Sequence, residues 1–174
     1  MGCLAISVSS LAHAGEKDFK TGPVILKYGK AAMVELDEPL PKRSRFKVSF
    51  DTAEAGQTGE VNRKFDSLAR FLNMHAQAGT LPNRIDLAMV VHGPAATDLT
   101  NNDYYGAKYD GAENANAPLI RALMENGTEF YICGQTAAYR DINQEDLLPE
   151  VKMSLSAMTA HAQLQQDGYT LNPF

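Results

Sequence analysis

Cys133 is the residue whose type and position point most directly to chemistry. It stands where a strand-like run of β-branched, aromatic and apolar residues, 128–133, meets an Ala-rich segment, 134–140, that can begin a helix. In α/β sheets, ligands collect at the carboxyl ends of strands, and a helix N-terminus offers free N–H groups and positive partial charge. We therefore expect a thiol at this junction to ionise more easily than a free cysteine.

Two interpretations of Cys133 stay open, a working thiolate and a small core residue. Free cysteine is among the most buried residue types, which favours the core residue. Gly134 removes side-chain bulk beside the sulfur, and Gln135 and Thr136 supply backbone donors at a helix start, which favours the thiolate. No second cysteine completes a Cys-x-x-Cys motif, which argues against dithiol oxidoreductase chemistry.

Three further residues are candidates for supporting roles around this thiol. His92, at the end of an apolar run, could carry a proton or orient the thiolate, or it could bond a loop backbone. Asp51 closes an earlier strand and either joins the same site or caps its loop. Arg140 could hold an anion near the sulfur or pair with a structural carboxylate.

Several familiar sites are absent from the sequence. It contains no Gly-x-Gly-x-x-Gly, no Walker-type Gly-Lys-Ser/Thr and no Gly-x-Ser-x-Gly. The four histidines, at positions 13, 75, 92 and 161, never approach one another or the cysteines at metal-ligand spacing. The sequence thus predicts no cofactor and no metal site, and we expect His75 and His161 to be surface or partly packed residues of helices.

Composition is that of one globular domain. The chain has 174 residues, of which 44% are hydrophobic and 21% charged. A formal charge of −5 and a pI near 5.3 give no general attraction for nucleic acid or anionic lipid. We interpret the basic cluster at residues 41–45 as a solvated connection before a strand, so no nucleic-acid partner is predicted. The globular composition predicts no stable membrane insertion.

Residues 1–14 have the pattern of a signal-peptide remnant. A short apolar stretch leads to Ala12-His13-Ala14 and is too short to span a bilayer. The usual Lys/Arg-rich beginning is missing, and a disordered cytoplasmic N-terminus is the alternative. Cleavage near Ala14 would place the protein in the periplasm or outside the cell, remove Cys3 and leave Cys133 as the lone thiol.

The elements that would position these residues alternate between strand and helix. Residues 15–45 form an irregular accessory segment, in which we expect a small hairpin of the apolar runs 24–26 and 31–34. The core begins with a strand at 46–50, a helix at 61–76 and a strand at 85–91, followed by a surface loop or short irregular helix at 95–115. It continues with a helix at 116–126, the strand at 128–133, a helix with Val151, Leu155, Met158 and Ala162 on one stripe, and a strand at 169–171. The series indicates an α/β fold with an open, mainly parallel sheet and helices on both faces.

Segments along the whole core resemble the DsrE/DsrF-like family of small sulfur-relay proteins. They are residues 85–93, the 116–127 helix, Phe-Tyr-Ile-Cys-Gly-Gln at 130–135, Asp-Leu-Leu-Pro at 146–149 and Gln-Gln-Asp-Gly-Tyr at 165–169. The resemblance covers residues 46–174, which we assign to one DsrE-like domain. With its export signal, the chain is similar to predicted periplasmic members.

The resemblance implies a flavodoxin-like fold that assembles into trimers or hexamers. It also implies that a cysteine at the end of a central strand carries sulfur as a persulfide between partner proteins, and Cys133 matches that cysteine. Our first hypothesis is therefore a sulfur carrier or sulfurtransferase with a donor and an acceptor protein as partners.

Two other functions stay open. The first is a non-catalytic oligomeric module whose pocket between protomers binds a small ligand or a partner segment. Tyr104, Tyr105 and Tyr109 suggest it, since tyrosine is a good contact residue. The second is a thiol that senses oxidants.

Overall fold

The structure, a computed structural model, describes residues 15–41 and 43–172. Within these residues, five strands form one parallel sheet in the order β4-β3-β2-β1-β5. The strands are β1 (Phe46–Thr52), β2 (Ile85–Val91), β3 (Glu129–Cys133), β4 (Lys152–Ser154) and β5 (Thr170–Asn172). The predicted open, parallel α/β sheet is confirmed, while the predicted signal peptide at residues 1–14 lies outside the described residues.

Helices cover both faces of this sheet, as the sequence predicts. They are α1 (Arg63–Gln77), α2 (Asn102–Lys108), α3 (Ala117–Glu125), α4 (Gly134–Tyr139) and α5 (Ala157–Gln166). The helices α1 and α3 pack on one face and α5 on the other. In the part of the chain that the structure describes, no helix combines the length and the apolar character that crossing a bilayer requires.

The two faces of the sheet are packed very differently. On the face of α1 and α3, large side chains such as Phe65, Met89 and Phe130 are fully buried in one extensive core. On the α5 face, the buried apolar cluster consists of Ala88, Val90, Ala160 and Leu164. The α5 face therefore buries less apolar bulk than the opposite face, and polar side chains lie at its carboxyl edge.

Strand register places the candidate site residues on this α5 face. Asp51 pairs with Val90, and Val90 pairs with Tyr131. Because side chains alternate along a strand, His92 and Cys133, each two residues further on, point to the same face as Asp51. The carboxyl ends of β1, β2 and β3 thus carry Asp51, His92 and Cys133 side by side.

The N-terminal segment is a loop closed by a single antiparallel bridge rather than a hairpin of two strands. Lys20 and Ala31 exchange both backbone hydrogen bonds at 3.0 Å, but the strands expected at 24–26 and 31–34 do not form. The physical reason is Asn73, a buried side chain of α1 that takes up the backbone groups of the loop. Asn73 accepts from the N–H groups of Val24 and Ile25 and donates to the carbonyls of Ile25, Tyr28 and Gly29.

The predicted helical stripe beginning at Val151 is wrong. Residues 152–154 instead form β4, which pairs with β3, and the helix begins only at Ala157. Leu155 and Met158, expected in the core, are 71% and 81% exposed. The helical spacing of these residues gave a wrong prediction because backbone pairing with β3 decides the conformation of this segment. The preference of a segment for strand depends on such tertiary context.

For the segment 95–115 the sequence predicts either a surface loop or a short irregular helix, and the structure shows helix. A 3₁₀ helix at Gly93–Leu99 is followed by α2. Its tyrosine hydroxyls bond within the chain: Tyr105 accepts from the Gly59 N–H, Tyr104 donates to the Arg140 carbonyl, and Tyr109 bonds Thr97. Tyr105 is only 1% exposed. These tyrosines serve the fold of the monomer, which weakens the reason for expecting them at a contact between protomers.

Candidate functional site

Cys133 lies at the strand-to-helix junction that the sequence indicates. It is the last residue of β3 and the N-cap of α4, and it is 6% exposed. Gly134 follows at a point of close approach, where a Cβ atom would lie 2.5 Å from the Ser154 carbonyl oxygen of β4. Glycine is therefore needed for β4 to pack against the junction.

The sulfur of Cys133 is surrounded by hydrogen-bond donors. Burial by itself raises the pKa of the thiol, but hydrogen bonds from the Thr136 hydroxyl and from the N–H groups of Thr136, Ala157 and Gln135 outweigh burial and lower the pKa below its ordinary value. Gln135 and Thr136 belong to the first turn of α4, and Ala157 begins α5. Two helix starts thus converge on one sulfur, which stabilises the thiolate.

Thr136 also connects the sulfur to the end of β2. Its hydroxyl oxygen accepts a hydrogen bond from the Gly93 N–H at 3.2 Å. Gly93 has a positive φ of 53°, a backbone conformation that glycine adopts readily. The loop that begins at His92 is therefore hydrogen-bonded to the same hydroxyl that donates to Cys133.

Asp51 accepts hydrogen bonds from two histidines. The His92 Nε2 atom lies 3.2 Å from Asp51 Oδ2, and the His161 Nε2 atom lies 2.8 Å from Asp51 Oδ1. All three side chains are partly exposed, at 35% for Asp51 and His92 and 23% for His161. The structure thus brings together Asp51 and His92, which the sequence singles out, and adds His161 from α5.

Sequence reasoning missed the role of His161. This residue was expected to be a surface or partly packed histidine, and it lies 110 residues from Asp51. No local spacing connects the two. The available signal was indirect, since a helix that follows β4 must cross the sheet near the end of β1.

The other predicted site residues lie around the edge of the site. Gln135 is exposed, and its side-chain amide donates to the Leu155 carbonyl at 3.3 Å. Arg140 stands at the opposite end of α4 from Cys133, about 10 Å along the axis at the usual helical rise. Arg140 Nε is buried without a hydrogen-bond partner in the described part of the chain. The structure therefore does not bring Arg140 to the sulfur.

Three apolar side chains at the end of α4 and near the start of α5 are exposed. Tyr139 at the end of α4 is 86% exposed, and Leu155 and Met158 near the start of α5 are 71% and 81% exposed. Within the described residues, 15–41 and 43–172, no group of three or more His, Cys, Asp or Glu side chains could hold a metal ion.

The sequence of the core matches a family model. The model of the DsrE/DsrF-like family matches residues 47–173, which is most of the chain and includes β2, β3, Cys133 and all of β1 but its first residue. The chain belongs to the DsrE/DsrF-like family. This family is associated with sulfur relay. The resemblance seen in the sequence is thus confirmed at the level of the family.

Solved structures show the same fold at low sequence identity. A protein of unknown function from Methanobacterium thermoautotrophicum is similar, with 16% identity, a TM-score of 0.54, and coverage of 74% of this chain and 99% of that one. The ychN protein from E. coli is similar too, with 17% identity, a TM-score of 0.53, and the same 74% and 99% coverage. Among curated proteins, no match is found.

Proposed function

We propose that this member of the DsrE/DsrF-like family is a sulfur carrier that uses Cys133 alone. The thiolate accepts a sulfane sulfur atom, holds it as a persulfide and passes it to another thiol. The observation that supports this proposal is the set of donors on the Cys133 sulfur, contributed by Gln135, Thr136 and Ala157. A sulfur that is only a core residue has no need of donors that favour its anion.

The transfer chemistry needs only the thiolate and a sulfane donor. In the loading step, the Cys133 thiolate attacks the outer sulfur of the donor, and the sulfur–sulfur bond of the donor breaks. With thiosulfate the leaving group is sulfite, which takes the electron pair of that bond. In the unloading step, an acceptor thiolate attacks the outer sulfur of the persulfide and releases the Cys133 thiolate. Both steps balance without an added oxidant or reductant.

His92 is suited to handle the proton of an acceptor thiol. The thiolate is the nucleophile, so an acceptor thiol must lose its proton before it attacks the persulfide. Asp51 accepts from His92 Nε2, which makes Nε2 the protonated nitrogen and leaves Nδ1 as the basic one. His92 follows β2 directly, one strand away from Cys133. In the proposed mechanism, His92 takes the proton and Asp51 stabilises the resulting imidazolium.

Burial of Cys133 fits a carrier. At 6% exposure, a persulfide at this position is shielded from bulk oxidants that would convert it to irreversible products. The outer sulfur extends beyond the Cys133 sulfur, so a small donor or a thin acceptor segment needs to reach only that atom.

We also propose that the protein forms a homo-oligomer, a trimer or a hexamer, in the periplasm or outside the cell. The exposed Tyr139, Leu155 and Met158 support assembly, because exposed apolar patches on soluble proteins commonly mark contact surfaces. The apolar stretch before Ala14 supports export. Sedimentation of the purified protein and N-terminal sequencing of the exported protein test these two statements.

A two-step transfer assay tests the function. The protein is loaded with thiosulfate or polysulfide, freed of excess donor, and exposed to cyanide or to a small thiol. We expect thiocyanate or a new persulfide in an amount that matches the loaded protein, and none from Cys133→Ser. Equal transfer by wild type and Cys133→Ser would contradict the proposal.

A further inference from the structure

His161 occupies a place that the proposed sulfur chemistry does not use directly. Its Nε2 atom lies 2.8 Å from Asp51 Oδ1, while His92 bonds the other oxygen of the same carboxylate at 3.2 Å. His161 belongs to α5, Asp51 to β1, and His92 to the loop after β2. The Asp51 carboxylate at the end of β1 therefore connects α5 with the loop at the end of β2.

The same helix supplies a donor to the thiol. Ala157 is the first residue of α5, and its N–H bonds the Cys133 sulfur. His161 follows four residues later, one helical turn or about 6 Å along the axis, and residues four apart lie on the same helix face. The first two turns of α5 thus contribute both the donor to Cys133, from the free N–H at the helix start, and the donor to Asp51.

Apolar packing beneath α5 comes from a small buried cluster and from the partly buried rings of Tyr131 and Tyr169. The buried cluster beneath the helix is small, and it includes the two alanines Ala88 and Ala160. Met158, in the first turn, is 81% exposed and does not anchor the helix. The start of α5 is held by β4, whose Ser154 pairs with Cys133 and donates through its hydroxyl to the Ser156 carbonyl at 2.9 Å. The contact of His161 with Asp51 adds a second attachment one helical turn further along α5.

We infer that His161 is a positioning residue of the Cys133 site, which acts through Asp51 to hold the start of α5, and with it the Ala157 N–H, against the sulfur. The inference deepens the proposed function, on which its biological meaning rests. Its test reads the ionisation of the thiol and not the transfer of sulfur.

The decisive variants are His161→Phe and His161→Gln. Phenylalanine keeps an aromatic ring but cannot donate to Asp51, so the Ala157 N–H is no longer held on the sulfur and the pKa of Cys133 rises. Glutamine places an N–H donor at nearly the position of the imidazole Nε2 and restores the contact. We expect the pH midpoint of iodoacetamide alkylation to move upward in His161→Phe, with alkylation about tenfold slower below the midpoint. His161→Gln retains the wild-type midpoint.

Simple electrostatics predicts a different pattern for these variants. The titratable groups at this sheet edge are Asp51, His92 and His161. Loss of a histidine charge would affect His161→Phe and His161→Gln alike, so rescue by glutamine excludes that cause. Removing the Asp51 charge would by itself lower the pKa of a nearby thiol, whereas loss of positioning raises it. Asp51→Ala should therefore raise the pH midpoint of alkylation. This variant tests the inference if His161→Phe fails to fold.

The matched control is Gln166→Ala on the exposed side of the same helix, which should leave the midpoint unchanged. Circular dichroism and thermal unfolding establish that each variant is folded. A wild-type midpoint in folded His161→Phe, an equal rise in His161→Phe and His161→Gln, or a fall in Asp51→Ala would overturn the inference. Failure of sulfur transfer with these midpoints as expected would overturn the proposed function and leave the positioning role intact.

Discussion

The hydroxyl of Thr136 donates to the sulfur of Cys133, and the same oxygen accepts the N–H of Gly93 at 3.2 Å. Thr136 belongs to α4, directly after the cysteine, whereas Gly93 follows the neighbouring strand β2. The environment of the thiol therefore depends on tertiary contacts as well as on the local turn. Because of this relationship, substitution of Thr136 is the most direct way to change the ionisation of Cys133.

Replacing Thr136 with valine should raise the pKa of Cys133. Valine has nearly the same shape but lacks the hydroxyl that donates to the sulfur. The pH dependence of the alkylation rate reports the change, and we expect its midpoint to move upward. Thr136→Ser keeps the hydroxyl and is the matched control. An unchanged midpoint in Thr136→Val would show that the hydroxyl does not stabilise the thiolate.

Replacing Gly134 with alanine should destabilise the protein by about 3 kcal/mol, the upper range for overpacking. The new Cβ would lie 2.5 Å from the Ser154 carbonyl oxygen, so β4 would have to shift. Urea unfolding measures the loss. Gly106→Ala is the control, because its nearest contact would be 3.5 Å and alanine favours a helix by about 1 kcal/mol. Equal effects of the two substitutions would contradict the close approach at Gly134.

Replacing Asn73 with alanine should detach the N-terminal loop. The side chain is fully buried and bonds backbone groups between Val24 and Gly29, which would lose their partners. Each unsatisfied buried group costs about 1–3 kcal/mol, so we expect a total loss of at least about 3 kcal/mol. Thermal unfolding and hydrogen exchange of the loop amides measure the effect. The control Asn126→Ala removes an exposed side chain and should cost little.

Stability should fall as the pH drops below 6.5, in part because of His75. Burial lowers the pKa of His75 from its ordinary value of 6.5, although its hydrogen bond with the Phe71 carbonyl raises it. The unfolded chain then binds the proton first, so the contribution of His75 is fully present above pH 6.5 and is lost as the pH falls through the folded pKa.

The variant His75→Phe isolates this contribution. The phenyl ring can keep the packing against Phe71 and Phe46, whose centroids lie 3.9 and 4.5 Å from the imidazole. We expect the free energy of unfolding of this variant to depend less on pH between neutral and mildly acidic conditions than that of the wild type. Parallel pH profiles for the two proteins would rule out a role for His75.

The sequence predicts the junction at Cys133 because its signals are local. A β-branched and aromatic run, a cysteine, a glycine and an Ala-rich segment follow one another, and the helix and strand periods of the preceding elements are regular. From alternation between strand and helix, a parallel sheet follows, and with it the common edge at which Asp51, His92 and Cys133 lie.

The features that the sequence does not reveal depend on distant partners. The strand β4 exists because Lys152 to Ser154 pair with β3, although the spacing of Leu155 and Met158 is that of a helix. Similarly, Asn73 is an unremarkable helix residue until the N-terminal loop lies across α1, and His161 gains its partner only when α5 crosses the sheet. Such contacts are set by the packing of elements and have no periodic trace in the chain.

Intact-mass measurement of the native protein after incubation with thiosulfate or polysulfide tests the carrier role of Cys133 most directly. We expect the wild-type protein to gain the mass of one sulfur atom, to lose it on treatment with a thiol reductant, and to be blocked by prior alkylation of Cys133. Thr136→Val should load more slowly, and Cys133→Ser should gain nothing. No adduct on the wild type, or an adduct that persists in Cys133→Ser, would contradict a carrier role for this cysteine.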